Sequence, residues 1–486
     1  MPEQLTPGTE LDGFHVGECI HSGAQGQIFR ITSPDRGFPT VMKVPRLGAS
    51  EARENLISFE IEAMIMPALR GPYVPRFVAA GDLTKTPYIV TEWVDGTTLD
   101  KLLKNGPLPA GELAPIGAAI ADAIHSLHLQ EAIHFDIKPD NLVLKANGEI
   151  VLIDFGLAHH ARFPDLLAEE KRFAAGSVPY ISPEQVLGVR SDPRSDIFAL
   201  GVVLYELATG KLPFGVPATM AGMRDRLWMD PVPPRVRSPQ MPPWLQEIIL
   251  RCIEPQADNR YQSAAHVAFD LRNPEQLALT KRGSKLLRAS FFSQMRRWWH
   301  ARRESVGQHA VSRSQISTTP VIMVAVDTSN PDDPRQPVLR RATAQTLSLS
   351  PEYRLICVSV VRAAPVAIGA TDDQSASGIH LDHLVRLRHW VEPLRLPTWR
   401  LSLHVIESTR PESTLLDFAR RNNVDIILLG APSPTQHSLA WWRSVASTVT
   451  ANARCSVYVV RIPEPGLPPD SPSTDFAPDP DEQRSA

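Results

Sequence analysis

The hydrophobic pattern of this 486-residue chain changes character twice, and these changes restrict its fold more than any other feature. Residues 11–94 alternate short β-type runs with turns, around one helical stretch at 58–69. Residues 98–273 are helical in pattern, whereas 319–461 alternate strands and helices. Because a chain of this length exceeds one typical hydrophobic core, the pattern predicts two globular units and a linker.

Composition excludes several classes of protein. A formal net charge of −3 predicts no general affinity for nucleic acid. No basic-then-apolar leader and no run of about 18 apolar residues occurs, so we expect no transmembrane segment. The cysteines lack the close spacing of metal sites or disulfide frameworks, which predicts reduced thiols in a cytoplasmic protein. They are Cys19, Cys252, Cys357 and Cys455.

Two polar motifs in the helical region carry residue types that phosphoryl transfer requires. Residues 134–141 read His-Phe-Asp-Ile-Lys-Pro-Asp-Asn, and Asp154-Phe155-Gly156 follows thirteen residues after Asn141. Transfer of a γ-phosphoryl group needs metal-binding oxygens and a carboxylate that orients the attacking hydroxyl. The motifs supply both, and their joint occurrence at this spacing is highly specific.

Weaker signals precede these motifs. Residues 20–28 contain Gly23 and Gly26, whose backbone could approach phosphates, although an ordinary hairpin turn is the alternative. Lys43 interrupts an apolar strand and suits a cation aimed at phosphates, unless it belongs to an edge strand. Glu62 lies on the predicted helix, where a glutamate is more often solvated.

Together these motifs resemble the eukaryotic-like, or bacterial Hanks-type, serine/threonine protein kinase family. The resemblance covers nearly all of residues 11–275 and implies an α+β bilobal fold, with a first lobe ending near residue 94. It implies a phosphotransferase, a non-specific serine/threonine protein kinase that uses ATP and Mg²⁺ to phosphorylate protein substrates, including itself. Lys138, in an Asp-x-Lys-Pro-x-Asn arrangement, resembles the Ser/Thr subclass.

The resemblance also implies roles for individual residues. Asp136 resembles the base that accepts or orients the substrate hydroxyl proton. The implied catalytic residues are Asp136, Lys138, Lys43 and Glu62. The implied nucleotide contacts are Gly23, Gly26, Lys43, Glu92, Val94, Asn141 and Asp154. The implied Mg²⁺ ligands are Asn141 and Asp154.

Residues 176–184 resemble the loop that docks the protein substrate. Within it, Ser177 resembles the hydroxyl that braces Asp136 and Lys138. Asp196 and Arg260 match structural anchors of the family, and we expect Arg260 to pair with Glu184.

One departure from the family bears on regulation. In many kinases an arginine precedes the catalytic aspartate and binds a phosphorylated loop, whereas here Phe135 holds that position. No Ser, Thr or Tyr occurs between Phe155 and Gly176. We therefore predict activity that does not depend on phosphorylation in this loop. Phe135 also raises the alternative of a nucleotide-binding pseudokinase scaffold. The presence of all the motif residues needed for catalysis argues against this alternative.

Residues 319–462 resemble the universal stress protein family, an α/β doubly wound fold. The resemblance rests on 324–329, 416–430 and 455–460. Nucleotide-binding members carry three loop glycines. Here only Gly430 is kept, with Ser433 and Arg443 at the other two positions. Asp327 matches the adenine-contacting aspartate, with a strand cap as the alternative. We favour an interaction module, with a homodimer through this domain, over an ATP sensor.

Residues 276–318 are predicted to form a basic amphipathic linker. Residues 281–313 contain nine Lys or Arg but only one acidic residue, Glu304. An apolar stripe at helical spacing suits peripheral contact with anionic lipid or packing against a neighbouring domain. The stripe consists of Leu287, Phe291, Met295 and Trp298. Residues 463–486 are rich in Pro, Asp and Ser, which predicts a disordered tail.

Overall fold

We describe the computed structural model as two sheet-containing units, residues 5–287 and residues 320–461, and treat each unit separately. The residues it describes are 5–23, 25–32, 37–46, 52–81, 86–170, 176–217, 219–287, 320–330, 333–349, 353–361, 373–397, 400–431 and 440–461.

The first unit begins with a six-stranded sheet in the order β1-β2-β3-β4-β6-β5. Its strands are β1 (Glu10–Leu11), β2 (Phe14–Ser22), β3 (Gly26–Thr32), β4 (Thr40–Pro45), β5 (Phe77–Ala80) and β6 (Ile89–Glu92). Neighbouring strands are antiparallel. Alternate residues such as Val16, Phe29 and Met42 are buried, because side chains of a strand point to opposite faces and one face forms the core.

One helix, α1 (Ala52–Ile65), accompanies this sheet and continues into a 3-10 turn at Met66–Ala68. The sequence pattern predicted a helix over 58–69, so α1 begins six residues earlier than expected. The tighter turn contains Pro67, which lacks the N–H needed to continue the α-helical ladder.

The remainder of the first unit is largely helical. Its longest helix, α3 (Ala110–His128), packs closely against α6 (Arg194–Thr209) at Gly117. A Cβ at this position would come within 2.7 Å of Leu204 Cδ2, so the close approach requires glycine. Its helices are α2 (Leu99–Leu103), α3 (Ala110–His128), α4 (Leu166–Glu169), α5 (Pro183–Val186), α6 (Arg194–Thr209), α7 (Met220–Met223), α8 (Pro234–Arg237), α9 (Pro243–Cys252) and α10 (Ala264–Arg272). Short strands β7 (Thr97–Thr98), β8 (Ala132–Ile133), β9 (Leu142–Leu144), β10 (Ile150–Leu152) and β11 (His159–His160) complete it.

The second unit contains a five-stranded sheet in the order β14-β13-β12-β15-β16. Its strands are β12 (Val321–Ala325), β13 (Arg354–Val361), β14 (Leu401–Glu407), β15 (Ile426–Gly430) and β16 (Ser456–Val460). Its helices are α11 (Arg335–Ser348), α12 (Asp373–Val391), α13 (Pro411–Arg421) and α14 (Ala440–Asn452). β12 pairs in parallel with β13 on one side and β15 on the other.

This strand order confirms the predicted doubly wound α/β class. The order reverses at β12, and ligands of such sheets bind beyond the carboxyl ends of the strands at this reversal. The five strands match five apolar runs of the sequence to within one residue at each end, and these runs are 321–326, 355–361, 401–406, 426–429 and 457–460.

No helix in the described parts of the chain has both the length and the apolarity that crossing a membrane requires. Of the predicted apolar stripe in the linker, only Leu287 is described, and it is 80% exposed. Phe291, Met295 and Trp298 lie outside the described residues, as does the predicted tail at 463–486.

Candidate active site

Lys43 lies on β4 and forms ion pairs with two carboxylates. Its Nζ donates to Glu62 Oε2 and to Asp154 Oδ1, at 2.7 Å in each case. β4 pairs with β3 and β6 on its two sides, so the edge-strand alternative for Lys43 is wrong. Glu62 is 5% exposed on α1, so the solvated alternative for this glutamate is wrong as well.

The ion pairs determine the charges of these groups. Burial alone would lower the pKa of Lys43, but the carboxylates of Asp154 and Glu62 raise it well above its usual value. Burial alone would raise the pKa of Asp154, yet the Lys43 charge lowers it to about 2. Burial raises the pKa of Glu62 more than Lys43 lowers it, and the Asp154 carboxylate adds to the increase. Lys43 and Asp154 are therefore charged at neutral pH.

Local structure orients Asp154. This residue has a φ of +65°, which non-glycine residues seldom adopt. The next residue, Phe155, is fully buried, with its ring centroid 4.9 Å from that of His134. Gly156 follows because a Cβ at this position would lie 1.9 Å from Ser58 Oγ on α1.

Asp136 is the centre of a second polar network. Its Oδ2 accepts hydrogen bonds from Lys138 Nζ at 2.8 Å and Asn141 Nδ2 at 3.0 Å. Its Oδ1 accepts from the backbone N–H of Ser177 at 2.9 Å. The Ser177 hydroxyl contacts Lys138 Nζ at 2.9 Å. Ser177 thus braces Lys138 through its hydroxyl and Asp136 through its backbone, whereas the sequence suggested the hydroxyl for both.

Asp196, fully buried on α6, anchors the loop that carries Asp136. Its carboxylate accepts from the backbone N–H groups of His134 and Phe135 and contacts His128 Nε2, each at 2.9 Å. Burial alone would raise the pKa of Asp196, but the hydrogen bond to His128 and neighbouring positive charge hold it below its usual range. The anchor is therefore an ionised carboxylate.

Asn141 and Asp154 offer oxygen atoms suited to Mg²⁺. The Asn141 Nδ2 donates to both the backbone carbonyl and Oδ2 of Asp136, which leaves the amide oxygen as the atom for a cation. Asp154 uses Oδ1 for Lys43 and keeps its second carboxylate oxygen. Hard oxygen donors of this kind are what Mg²⁺ prefers, usually together with phosphate oxygens of a nucleotide.

The glycine-containing turn joins β2 to β3. The backbone N–H of Gly23 donates to the Gly26 carbonyl at 2.9 Å. Gly26 is needed for strand packing, since a Cβ there would lie 2.3 Å from the Val44 carbonyl oxygen. His21, at the position of the first family glycine, places Nε2 3.1 Å from where a Cβ on Gly23 would be. The turn is a β-hairpin connection, and its role toward phosphate stays a prediction.

Glu92 and Val94 lie where the first sheet leads into β7. The backbone N–H of Glu92 donates to the Arg76 carbonyl at 2.9 Å, and its carboxylate lies 3.5 Å from Arg76 Nε. Val94 is half-buried. The nucleotide contacts of Glu92 and Val94 stay predictions.

The predicted pairing of Arg260 with Glu184 is present. Arg260 Nη1 and Nη2 donate to Glu184 Oε1 and Oε2 at 2.6 and 2.8 Å. This arginine side chain is fully buried, so the pair secures the end of the substrate-docking loop to the helical core.

No motif or periodicity in the sequence pointed to Arg226. This fully buried arginine donates from Nη1 to the carbonyls of Val178 and Ile181, at 2.9 and 2.5 Å, and so holds the predicted substrate-docking loop. Burial lowers its pKa to about 10. Arg226 belongs to a short 3-10 segment without periodicity, so only the tertiary structure identifies it.

The second unit has a polar cluster beyond β12, which includes a pair of hydroxyl groups. Asp327 Oδ1 accepts from the backbone N–H of Ser329 at 2.9 Å, and its carbonyl accepts from Gln336 Nε2 at 2.7 Å. The Thr328 and Ser359 hydroxyls are 2.7 Å apart. Asp327 therefore caps its own turn, as the alternative reading held. Ser433 lies outside the described residues, and so does the side chain of Arg443.

The sheet, the charged network and its anchors define a protein kinase catalytic domain, and comparison with known families agrees. The protein kinase domain model matches residues 14–269, more than half of the chain, so the protein belongs to the protein kinase family. The universal stress protein family model matches residues 319–461.

Among curated proteins, the chain resembles serine/threonine-protein kinase PknB of Mycolicibacterium smegmatis. The two are 31% identical over 271 residues, which cover 55% of this chain and 43% of that protein. A probable serine/threonine-protein kinase of Clostridium acetobutylicum is 31% identical over 268 residues, covering 55% of this chain and 40% of the relative. The matched region thus spans less than half the length of these relatives.

Among solved structures, the PknI kinase domain of Mycobacterium tuberculosis is similar at 21% identity. It covers 56% of this chain and 100% of its own, with a TM-score of 0.45.

Proposed function

We propose that the chain is a Mg²⁺-dependent serine/threonine protein kinase that transfers the γ-phosphoryl group of ATP to protein hydroxyls, its own included. The observation that carries this proposal is the charged arrangement in which Lys43 pairs with Glu62 and Asp154 while Asp136 contacts Lys138 and Asn141. The curated relatives are named as serine/threonine kinases, which supports the same substrate class.

In this mechanism, Asp136 orients the attacking hydroxyl and takes its proton as the new O–P bond forms, while the bond between the γ-phosphorus and the β,γ-bridging oxygen of ATP breaks and ADP leaves. Oδ1 is fixed by the Ser177 backbone and Oδ2 by Lys138 and Asn141, so the carboxylate cannot rotate freely. Lys138 carries a firm positive charge, because Asp136 raises its pKa despite burial. It offsets charge that develops on the transferring phosphoryl group.

Lys43 would hold the non-transferred phosphates of ATP, and Glu62 would keep the Lys43 ammonium in place. Asn141 and Asp154 would hold the Mg²⁺, which would supply positive charge to the phosphate oxygens of the nucleotide. Backbone atoms near Val94, together with Gly23 and Gly26, would contact the rest of the nucleotide.

A radiolabelled γ-phosphate transfer assay on the full chain tests this function against the pseudokinase alternative. Replacing Asp136→Asn should lower transfer about 10²–10⁴-fold, since a general base contributes that much. Asp140→Asn, one turn away in the same loop, is the matched control and should retain activity. Transfer that survived Asp136→Asn would contradict the mechanism, and absence of transfer from the wild type would favour a scaffold.

We extend the proposal to domain boundaries and surroundings. Residues 11–275 would act as the catalytic domain, and 319–462 as an interaction or regulatory domain that supports a homodimer. The β16 edge favours this role, since Tyr458 is 50% exposed there. All four cysteines are free thiols, which supports a cytoplasmic location. Sedimentation equilibrium of the full chain with and without Tyr458→Glu tests the dimer.

The linker at 276–318 remains a candidate for peripheral contact with anionic lipid. Co-sedimentation of the full chain with phosphatidylserine vesicles, at low and high salt, measures this contact. Loss of pelleting after Arg296→Glu and Arg297→Glu would support it, whereas a chain that never pellets would leave packing against a neighbouring domain as its role.

A further inference from the structure

The segment after Asp154-Phe155-Gly156 contains a carboxylate that the proposed mechanism does not use. Asp165 Oδ1 accepts from the backbone N–H of Ala168 at 3.1 Å and caps the short helix α4. Both carboxylate oxygens also accept from Arg190 Nε, at 3.1 and 3.0 Å. The two residues are 25 positions apart, and the stretch between them includes residues 176–184, the predicted substrate-docking loop.

Arg190 contacts this segment at two points, Leu157 and Asp165. Its Nη2 donates to the Leu157 carbonyl at 2.8 Å, while Nε holds Asp165. Its side chain is only 6% exposed. A guanidinium is buried to this extent only when it is paired, because an isolated buried charge is strongly unfavourable.

Phe135 completes the arrangement. The Arg190 guanidinium carbon lies 4.6 Å from the centroid of the Phe135 ring, within the range of a favourable cation–π contact. Phe135 occupies the position at which many kinases carry a phosphate-binding arginine. An arginine here would place a second guanidinium beside Arg190, with no hydroxyl between 156 and 176 to accept a phosphate.

Asp165 is charged in this setting. Burial alone would raise its pKa, but Arg190, together with His159 whose Nδ1 lies 3.8 Å from Oδ2, holds it below the usual range. The pair thus supplies a fixed negative charge facing a fixed positive one at neutral pH.

The segment leads from this pair to the Lys43 site. Leu166 and Leu167 of α4 are buried in the same hydrophobic cluster as Ile57 and Ile61 of α1. α1 also carries Glu62, which pairs with Lys43. Order in residues 157–169 therefore bears on the position of Glu62.

We propose that Asp165 and Arg190, with Arg190 stacked on Phe135, form an ion-pair latch that holds residues 157–169 in the place of a loop phosphate. This proposal deepens the proposed kinase function and rests on it. Arg190 and Asp165 are positioning residues, since they act through α4 and α1 rather than on the nucleotide. The latch makes catalytic order a property of the chain itself rather than of a modification.

The test uses phosphatase-treated full-length protein carrying Asp165→Asn, Arg190→Gln or both. Asn keeps the cap on α4, because its side-chain oxygen still accepts from Ala168, while the charge is lost. We expect kcat to fall about tenfold in each single variant, with little change in KM for ATP. The double variant should fall no further than either single variant, as expected for two residues that act as one unit. Arg190→Lys should recover part of the loss.

Arg162→Gln is the matched control within the same segment. Arg162 pairs with Glu131 at 3.1 Å, but the two side chains are 77% and 54% exposed, so kcat should stay within about twofold. Hydrogen exchange of residues 157–170 provides a readout independent of activity, and protection should fall in Asp165→Asn but not in Arg162→Gln.

Several results would overturn the latch. Wild-type kcat and wild-type exchange in both single variants would do so, as would a large loss of wild-type activity on phosphatase treatment. If the wild type transfers no phosphate, the kinase proposal fails, while unchanged or increased exchange at 157–170 still decides whether the latch orders the segment.

Discussion

The two units both have architectures that commonly bind nucleotides, yet the side chains of their polar clusters are paired differently. In the first unit, Lys43 contacts two carboxylates at 2.7 Å, and Lys138 contacts a third at 2.8 Å. In the second, beyond β12, two hydroxyls contact each other and Asp327 caps its own turn. The comparison teaches that a fold supplies the place for a ligand, whereas the side chains gathered there decide its use.

Among the variants that compare the two units, the largest effect should follow from removing the Lys43 ammonium. Lys43→Met should lower phosphate transfer by the full chain about 10²–10³-fold, because a preorganised charge near the phosphates is lost. Asp327→Asn, in the second unit, is the comparison variant and should leave transfer unchanged. Equal losses in both variants, measured by the γ-phosphate assay, would break the contrast between the two units.

A smaller effect, on stability, should follow from breaking a buried charge pair. Glu184→Gln removes the negative charge that faces the buried Arg260 and replaces one of its two carboxylate acceptors with an NH2 group, so the free energy of unfolding should fall by about 3 kcal/mol. Urea unfolding of the full chain, followed by tryptophan fluorescence and hydrogen exchange near Arg260, measures this. A change smaller than the error of the extrapolation would show that a neutral amide and the backbone carbonyls are sufficient partners for the buried Arg260 guanidinium.

The hydroxyl pair of the second unit should tolerate substitution better. Thr328→Val removes the hydroxyl that faces Ser359 and should cost about 1 kcal/mol, as is typical of one neutral hydrogen bond. Hydrogen exchange of β12 and β13 in the full chain reports this loss. A loss of stability equal to that of Glu184→Gln would remove the distinction between the Arg260–Glu184 ion pair and the Thr328–Ser359 hydroxyl pair.

The smallest effect is expected in nucleotide binding by the second unit. The full chain should bind about one equivalent of a fluorescent ATP analogue, and Lys43→Met with Asp154→Asn should abolish this binding if only the first unit holds nucleotide. Asp327→Asn should leave it unchanged. A residual equivalent in the Lys43/Asp154 variant that Asp327→Asn removes would assign a nucleotide to the second unit and overturn our preference for an interaction module.

The sequence by itself determined the class of fold and the residue types of the charged site. Residues 134–141 and 154–156 are short motifs whose chemistry can be recognised from the order of the residues alone. The apolar runs of the second unit predicted all five of its strands. Such signals are local, since side-chain alternation and motif spacing follow from the chain's covalent geometry.

Only the tertiary structure decided which distant side chains meet. Asp165 with Arg190, and Arg226 with the carbonyls of Val178 and Ile181, join positions 25 or more residues apart without any motif. The start of α1 was likewise unavailable from pattern alone. Burial makes pairing compulsory for such charges, but the partner is set by the path of the whole chain, which no local pattern encodes.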